Sequence, residues 1–163
     1  MMADYLTAQV EAGVQALQVF DSWAGALGRA DYREFAAPHS SRIFSELRKT
    51  SVPVVHFGVG TTAILPDMTA AGGDVIGLDW RLPLDDAWTI VGADRAVQGN
   101  LDPTSLLGPT DRLFAAADQV LERAAGRPGH IFNVGHGLVP SIDPGVVGRL
   151  VDYVHEATAG AAR

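Results

Sequence analysis

His136 is the residue of this sequence whose surroundings most favour chemistry. It lies in Asn133-Val134-Gly135-His136-Gly137, after an apolar run that begins at Ile131 and predicts a buried strand. Glycines let the backbone turn and approach a ligand closely, and an imidazole can bind a carboxylate or move a proton near neutral pH. Asp143-Pro144 then predicts a helix start. A strand, a loop and a helix in this order form sites in α/β proteins; the alternative is a loop histidine bonded to backbone.

Polar or glycine-rich residues also end the other predicted strands. Ser22 is a candidate hydrogen-bond donor to a ligand carboxylate, although a serine at such a place also caps turns. Ser22 and His136 are the two candidate site residues. For the remaining polar residues we expect structural or surface positions: hydrogen bonding by Asp79, Asn100 and Asp102, a core position for His56, and surface positions for Arg81, His39, His130 and His155.

Strands and helices are predicted to alternate along the whole chain. Apolar runs predict strands at 14–20, 52–58, 74–80 and 95–100, with a fifth from residue 131. Helical periodicity and end signals predict helices at 3–13, 32–49 (capped by Asp31 and interrupted near Pro38), 61–71, 84–91, 110–125 (capped by Thr110) and 144–158.

The strand pattern predicts a parallel sheet that is covered by helices. The apolar runs are continuous rather than alternating, as in strands buried on both faces. Five strands fit a flavodoxin-like layered sheet directly, and they fit a (β/α)8 barrel only if three strands are missing. In either fold the polar strand ends meet at one edge. No glycine-rich dinucleotide fingerprint or P-loop occurs in the sequence.

Composition restricts the class of protein and its partners. The 163 residues suit one domain or part of a larger one, and 47% are hydrophobic, enough for a core. A net charge of -7 argues against nucleic acid and anionic membranes as partners. There is no cysteine, so disulfides and thiolate metal sites are excluded and a reducing cytosol is the expected compartment.

Four strand-end motifs together resemble the uroporphyrinogen decarboxylase family. They are Phe20-Asp21-Ser22-Trp23-Ala24-Gly25, Gly77-Leu78-Asp79-Trp80, Gln98-Gly99-Asn100-Leu101-Asp102-Pro103 and Asn133-Val134-Gly135-His136-Gly137. They occur in the family's order and at similar spacing, and the resemblance covers essentially the whole chain. It implies a partial (β/α)8 TIM-type barrel: residues 1–163 would form one C-terminal portion with strands four to eight, and the N-terminal three strands would be missing.

The resemblance implies an enzyme of haem biosynthesis that uses no cofactor and no metal. The family removes the four acetate carboxylates of uroporphyrinogen III to give coproporphyrinogen III, and it usually works as a cytoplasmic homodimer. Its serine of the F-[DE]-S motif matches Ser22, and its histidine of the N-x-G-H-G motif matches His136; both contact substrate carboxylates in the family. The family's substrate-binding arginines, aspartate and tyrosine belong to the missing part.

Two consequences follow for the lone chain. We expect it to lack decarboxylase activity unless a partner chain supplies the missing strands. We also expect the inner faces of Val54, Ile76 and Val97 to meet water or another chain, because five strands cannot enclose the interior of a barrel.

Two other functions compete with the decarboxylase. One is that of the related cobalamin-dependent methyltransferases, which bind zinc through a His-x-Cys pair and a later cysteine. Here His56-Phe57-Gly58 has glycine at the cysteine position, so that site is ruled out. The other is a non-catalytic half barrel that binds a tetrapyrrole or pairs with another chain.

Overall fold

A computed structural model describes residues 1–160 and shows one five-stranded parallel sheet. Its elements are α1 (Met2–Glu11), β1 (Leu17–Phe20), α2 (Arg29–Asp31), α3 (Ala37–Leu47), β2 (Val54–Phe57), α4 (Leu65–Ala71), β3 (Val75–Gly77), α5 (Leu84–Val91), β4 (Ala96–Leu101), α6 (Thr110–Ala124), β5 (His130–Val134) and α7 (Pro144–Thr158). A π turn (Tyr32–Ala36) joins α2 to α3. Short 3-10 turns (Ala24–Ala26, Thr61–Ile64 and Pro103–Leu107) follow β1, β2 and β4.

The strand order decides between the two predicted architectures. The strands lie in the order β1-β2-β3-β4-β5, and every neighbouring pair is parallel. A flavodoxin-like sheet would place the second strand outside the first, whereas a (β/α)8 barrel keeps the sequence order. The predicted fold class, a partial barrel of five parallel strands alternating with helices, is therefore confirmed.

The sheet is strongly curved. Gln18 on β1 and Gln98 on β4 are separated by the two strands β2 and β3, yet Gln98 Nε2 donates to Gln18 Oε1 at 3.1 Å. In a flat sheet the backbones of these strands would be about 14 Å apart, which the two side chains could not bridge. Both glutamines therefore project into a concave face, the side that is the interior of a barrel.

The opposite face of the sheet packs against the helices. The largest cluster of buried residues joins β3, β4 and β5 to α5, α6 and α7, with Ile76, Val97 and Leu113 fully buried in it. A second cluster joins β1 and β2 to α1 and α3. Burial on this face supplies the main stabilisation of the half-barrel.

The predicted inner face was wrong by one residue. Val54, Ile76 and Val97 are buried against helices, not exposed on the concave side. Because successive strand residues point to opposite faces, the alternate residues of each strand lie on the concave side. One paired row on that side consists of Phe20, Phe57, Gly77, Gln98 and Ile131. Phe20 and Ile131 remain exposed there, so the concave face is open, as expected, but through other residues.

Three local predictions also differ from the structure. Helical residues begin at Arg29 with Gly28 as N-cap, not after Asp31, and the Tyr32 N–H already donates to the Gly28 carbonyl. Pro109 rather than Thr110 holds the N-cap position of α6. His130 is half-buried at the start of β5, where its Nε2 donates to the Gly99 carbonyl, and is not a surface residue.

The two outer strands of the sheet are β1 and β5, and within residues 1–160 each pairs with a single neighbour. A bare strand edge presents unpaired backbone groups to another chain or strand. Of the helices that the structure describes, none is long and apolar enough to span a membrane.

Candidate functional site at the carboxyl ends of the strands

All five strands end at one rim, because they are parallel neighbours. We call the segments that follow β1, β2, β3 and β5 the rim turns: residues 21–26, 58–61, 79–83 and 135–137. They carry both candidate residues, Ser22 in the first turn and His136 in the last.

Ser22 lies in a turn that is tightly fixed to the neighbouring turn. The Asp21 N–H donates to the Phe57 carbonyl of β2 at 2.7 Å. Within the turn, the Ala24 N–H donates to the Asp21 carbonyl at 3.1 Å. Gly25 is required there, since a Cβ at this position would lie 2.0 Å from the Val59 carbonyl oxygen. Ser22 itself is exposed at the top of this fixed turn.

A buried polar cluster supports the Ser22 turn from behind. The Asp21 carboxylate accepts from Ser40 Oγ at 3.3 Å and lies 3.7 Å from His56 Nε2. His56 is fully buried as predicted, and its Nδ1 donates to the Gly72 carbonyl at 3.0 Å. Its Nε2 and the nearby Tyr32 hydroxyl are buried without hydrogen-bond partners in the described chain. The cluster therefore ties the Ser22 turn to β2 and α3.

The same cluster shifts the pKa values of two of its members. The His56 imidazole lowers the pKa of the Asp21 carboxyl below its usual range, and the Ser40 hydroxyl adds to this, while burial opposes them. Burial, together with the Asp21 charge, raises the pKa of the Tyr32 phenol to about 12. Asp21 is thus held as a carboxylate and Tyr32 as a neutral phenol.

Asp79 connects the rim turns to one another. Its buried carboxylate accepts from the Gly60 N–H, from the Arg81 N–H at 2.9 Å and from Arg81 Nη1 at 2.8 Å. Asn100 Nδ2 donates to the carbonyls of Asp79 at 2.9 Å and Leu82 at 2.7 Å. The hydrogen-bonding roles predicted for Asp79 and Asn100 are what the structure shows.

His136 lies at the far end of the rim from Ser22. Its exposed ring is 6.1 Å from the Trp80 ring and nearly perpendicular to it, and its Nδ1 donates to the Gly137 carbonyl at 3.2 Å. Gly135 allows this approach, because a Cβ at this position would lie 2.6 Å from the backbone nitrogen of Trp80. The rim thus carries a hydroxyl at one end and an imidazole at the other, with three strands between β1 and β5.

Several rim residues received no functional role from the sequence. Arg81 stacks over the Trp80 ring with its Cζ 4.2 Å from the centroid. Phe20 and Trp23, on either side of Ser22, are 66% and 86% exposed. Large exposed aromatic residues beside polar groups are typical of ligand or partner surfaces. The signal in the sequence was an aromatic residue next to a polar one at two strand ends, Ser22-Trp23 and Asp79-Trp80.

The expected positions are also found for Asp102, His39 and His155. The Asp102 carboxylate accepts from the Thr104 N–H at 2.8 Å and so braces the turn after β4. His39 and His155 are exposed on helices. Within residues 1–160, no group of three or more histidine, aspartate or glutamate side chains is placed to hold a metal ion.

The architecture is that of a (β/α)8 barrel seen in part. A solved methyltransferase from Methanosarcina mazei matches it with a TM-score of 0.82 at 23% identity, over 95% of this chain and 46% of that chain. This likeness concerns the fold alone.

The chain belongs to the uroporphyrinogen decarboxylase (URO-D) family, whose model matches residues 1–157. Uroporphyrinogen decarboxylases of Salinispora tropica and Streptomyces griseus are 52% and 51% identical to it over 155 residues, which are 95% of this chain. That of Sorangium cellulosum is 54% identical over 150 residues. The chain spans only 42%, 42% and 43% of the lengths of these three relatives.

Proposed function

We propose that this chain supplies strands four to eight of a uroporphyrinogen decarboxylase, as one C-terminal portion over residues 1–163. The reaction would convert uroporphyrinogen III to coproporphyrinogen III, in the cytoplasm. The observation that supports this most is that the four family-like motifs, which are scattered in the sequence, lie at one rim of the sheet. Membership of the family supports the choice of reaction.

In this proposal Ser22 and His136 bind substrate carboxylates. The substrate carries eight carboxylates, and a hydroxyl and an imidazole both donate hydrogen bonds to such groups. Both side chains are exposed on fixed turns, so a ligand at the rim can reach them without rearrangement of the backbone. His136 is also a candidate proton carrier.

The chemistry requires a proton donor and an electron sink, and the protonated substrate itself can supply the sink. Protonation of a pyrrole ring makes it electron-poor, so the carbon–carbon bond to the acetate carboxylate can break with release of CO2. A second proton then converts the methylene carbon to methyl, and loss of the first proton restores the aromatic ring. No cofactor takes part in this sequence of steps.

Catalysis by the proposed enzyme requires the other part of a barrel. The concave face is open, with Phe20 and Ile131 exposed on it, and β1 and β5 have bare edges within the described residues. We propose that a polypeptide carrying strands one to three closes this sheet and brings the family's arginines, aspartate and tyrosine. Two such barrels would then form the homodimer that is usual in the family.

The test is complementation. The 163-residue chain is assayed for coproporphyrinogen formation alone, and again after mixing with the N-terminal part of the Salinispora tropica relative that it does not match. We expect no useful rate from either part alone and a restored rate from the mixture. The mixture made with His136→Ala should be much slower. Robust turnover by the isolated chain would refute the requirement for a partner.

A non-catalytic half barrel that binds a tetrapyrrole is the second candidate, and the open concave face favours it. It predicts porphyrin binding by the chain and no turnover in any mixture. Complementation therefore separates the two functions.

A further inference from the structure

Arg81 is held in place on two sides. Its Nη1 donates to the Asp79 carboxylate at 2.8 Å, and its guanidinium lies over the Trp80 ring, 4.2 Å from the centroid. Its side chain is nevertheless 47% exposed. Asp79 is itself buried and fixed by two backbone N–H groups, those of Gly60 and Arg81. Arg81 thus has the surface position expected from the sequence, but its guanidinium is fixed as well as accessible.

The same indole contacts the other candidate for binding a carboxylate at this end of the rim, His136. The His136 ring lies 6.1 Å from Trp80 at 87°, and Gly135 packs against the Trp80 backbone so closely that only glycine fits. Arg81 on the β3 turn and His136 on the β5 turn are therefore fixed beside one tryptophan, although they are far apart in the sequence.

We propose that Arg81 is a substrate-binding residue and that it holds one side-chain carboxylate of a tetrapyrrole together with His136, beside Trp80. This rests on the proposed function. One of the five guanidinium N–H groups donates to Asp79, which leaves four for a ligand. A planar guanidinium binds a carboxylate through two parallel hydrogen bonds, and its fixation reduces the entropy lost on binding.

The chain contains a matched control for this arginine. Arg123 on α6 is 44% exposed, and its Nη1 also donates to an aspartate at 2.8 Å, that of Asp85. This second pair joins two helices on the outside of the sheet, away from the rim. Arg81→Gln and Arg123→Gln thus remove the same charge and one arginine–aspartate ion pair each, but only Arg81→Gln removes them from the proposed site. The pairs differ in their carboxylates, since Asp79 is buried and Asp85 is 48% exposed, and the melting comparison below accounts for this difference.

The experiment is titration of the purified 163-residue chain with coproporphyrin III, followed by the Soret absorbance. The series comprises the wild type, Arg81→Gln, Arg81→Lys, Arg123→Gln, His136→Ala and the double variant of Arg81→Gln with His136→Ala. We expect Arg81→Gln to weaken binding roughly ten- to a hundredfold and Arg123→Gln to leave it unchanged. Arg81→Lys keeps the positive charge but cannot form the two parallel hydrogen bonds of a guanidinium, so it should recover part of the affinity.

If both groups hold one carboxylate, the double variant should lose less affinity than the two single losses combined. If the losses of binding free energy in the two single variants add up in the double variant, the proposal that Arg81 and His136 hold the same carboxylate is overturned. Equal affinities of the wild type and Arg81→Gln, with binding still sensitive to His136→Ala, would overturn the role of Arg81 and leave the proposed function standing. No binding by the wild type would overturn the Arg81 site, whereas the proposed function stands or falls with the complementation assay. Thermal melting of each variant separates lost contacts from lost folding.

Discussion

Gln98 Nε2 donates a hydrogen bond to Gln18 Oε1 at 3.1 Å, across the concave face of the sheet. The two residues belong to β4 and β1, so this contact forms only when the sheet is curved. We expect Gln18→Ala and Gln98→Ala each to destabilise the chain modestly, with a coupling of about 1 kcal/mol between them. Urea denaturation of the four members of the double-mutant cycle measures this coupling. A coupling near zero would show that the glutamines do not help to set the curvature.

A methyl group at Gly135 should disturb the rim, and one at Gly137 should not. A Cβ added at Gly135 would lie 2.6 Å from the backbone nitrogen of Trp80, whereas a Cβ added at Gly137 would meet nothing within 4 Å. We expect Gly135→Ala to cost roughly 1–3 kcal/mol of unfolding free energy and Gly137→Ala less than about 0.5 kcal/mol. Equilibrium unfolding of the two variants side by side is the measurement. Similar costs for both would contradict the close approach of the β3 and β5 turns.

His136→Ala should weaken turnover of the complemented enzyme more than it weakens folding. The ring is exposed on a loop, so its removal leaves no core cavity. Loss of one charge-assisted contact should raise the activation barrier by roughly 1.5–3 kcal/mol. Steady-state kinetics beside thermal melting separates the two effects. A large fall in melting temperature with normal turnover would assign the residue a structural role instead.

The half-buried His130 should make the chain less stable in mild acid. Burial lowers its pKa below the ordinary 6.5; the hydrogen bond to the Gly99 carbonyl opposes this, and the Arg127 charge adds to it. The imidazole therefore binds a proton more readily in the unfolded chain than in the folded chain. The contribution of neutral His130 to the unfolding free energy is complete above pH 6.5 and is lost as the pH falls through the folded pKa.

Unfolding free energies between about pH 8 and about pH 5 test this effect. His130→Gln should show a smaller loss of stability in acid than the wild type, because it keeps a hydrogen-bond donor but cannot be protonated. His155→Gln, on an exposed helix position, is the control and should follow the wild type. Identical acid profiles for His130→Gln and the wild type would contradict the shifted pKa.

Chelators should leave the rate of the complemented enzyme unchanged. The sequence contains no cysteine for a thiolate site, and protonation of the pyrrole provides the electron sink without a Lewis acid. The assay is decarboxylation before and after treatment with a strong chelator. A rate that falls on chelation and returns with zinc would refute this mechanism.

The elements of the fold could be predicted because their signals are local. Each strand is a short apolar run, and the signals of α7, Asp143 and Pro144, lie directly at its start, where Asp143 accepts from the Gly145 N–H. Local signals also misled, since Asp31 resembles an N-cap but lies inside a helical stretch. That stretch widens into a π turn just before Pro38, a residue that has no N–H to continue regular helical bonding.

The faces of the strands and the contacts of the rim could not be predicted. In Val52-Pro53-Val54-Val55 both faces are apolar, so nothing in the sequence distinguishes inside from outside, and an error of one residue exchanges them. In β4 the polar residue that marks the concave face is Gln98, whose side chain crosses that face to Gln18. The approach of His136 to Trp80 joins two turns that are far apart in the sequence, so no local pattern predicts it.

The succession of strands also bears on how the chain is made. Within residues 1–160, each strand from β2 to β5 pairs with the strand synthesised just before it. On a ribosome, every newly emerged strand–helix unit would find its docking edge already formed, and the half-barrel could grow from β1 towards β5 in step with translation. The last edge to form would be that of β5, directly before the turn that carries His136. The rim would thus acquire its imidazole end last.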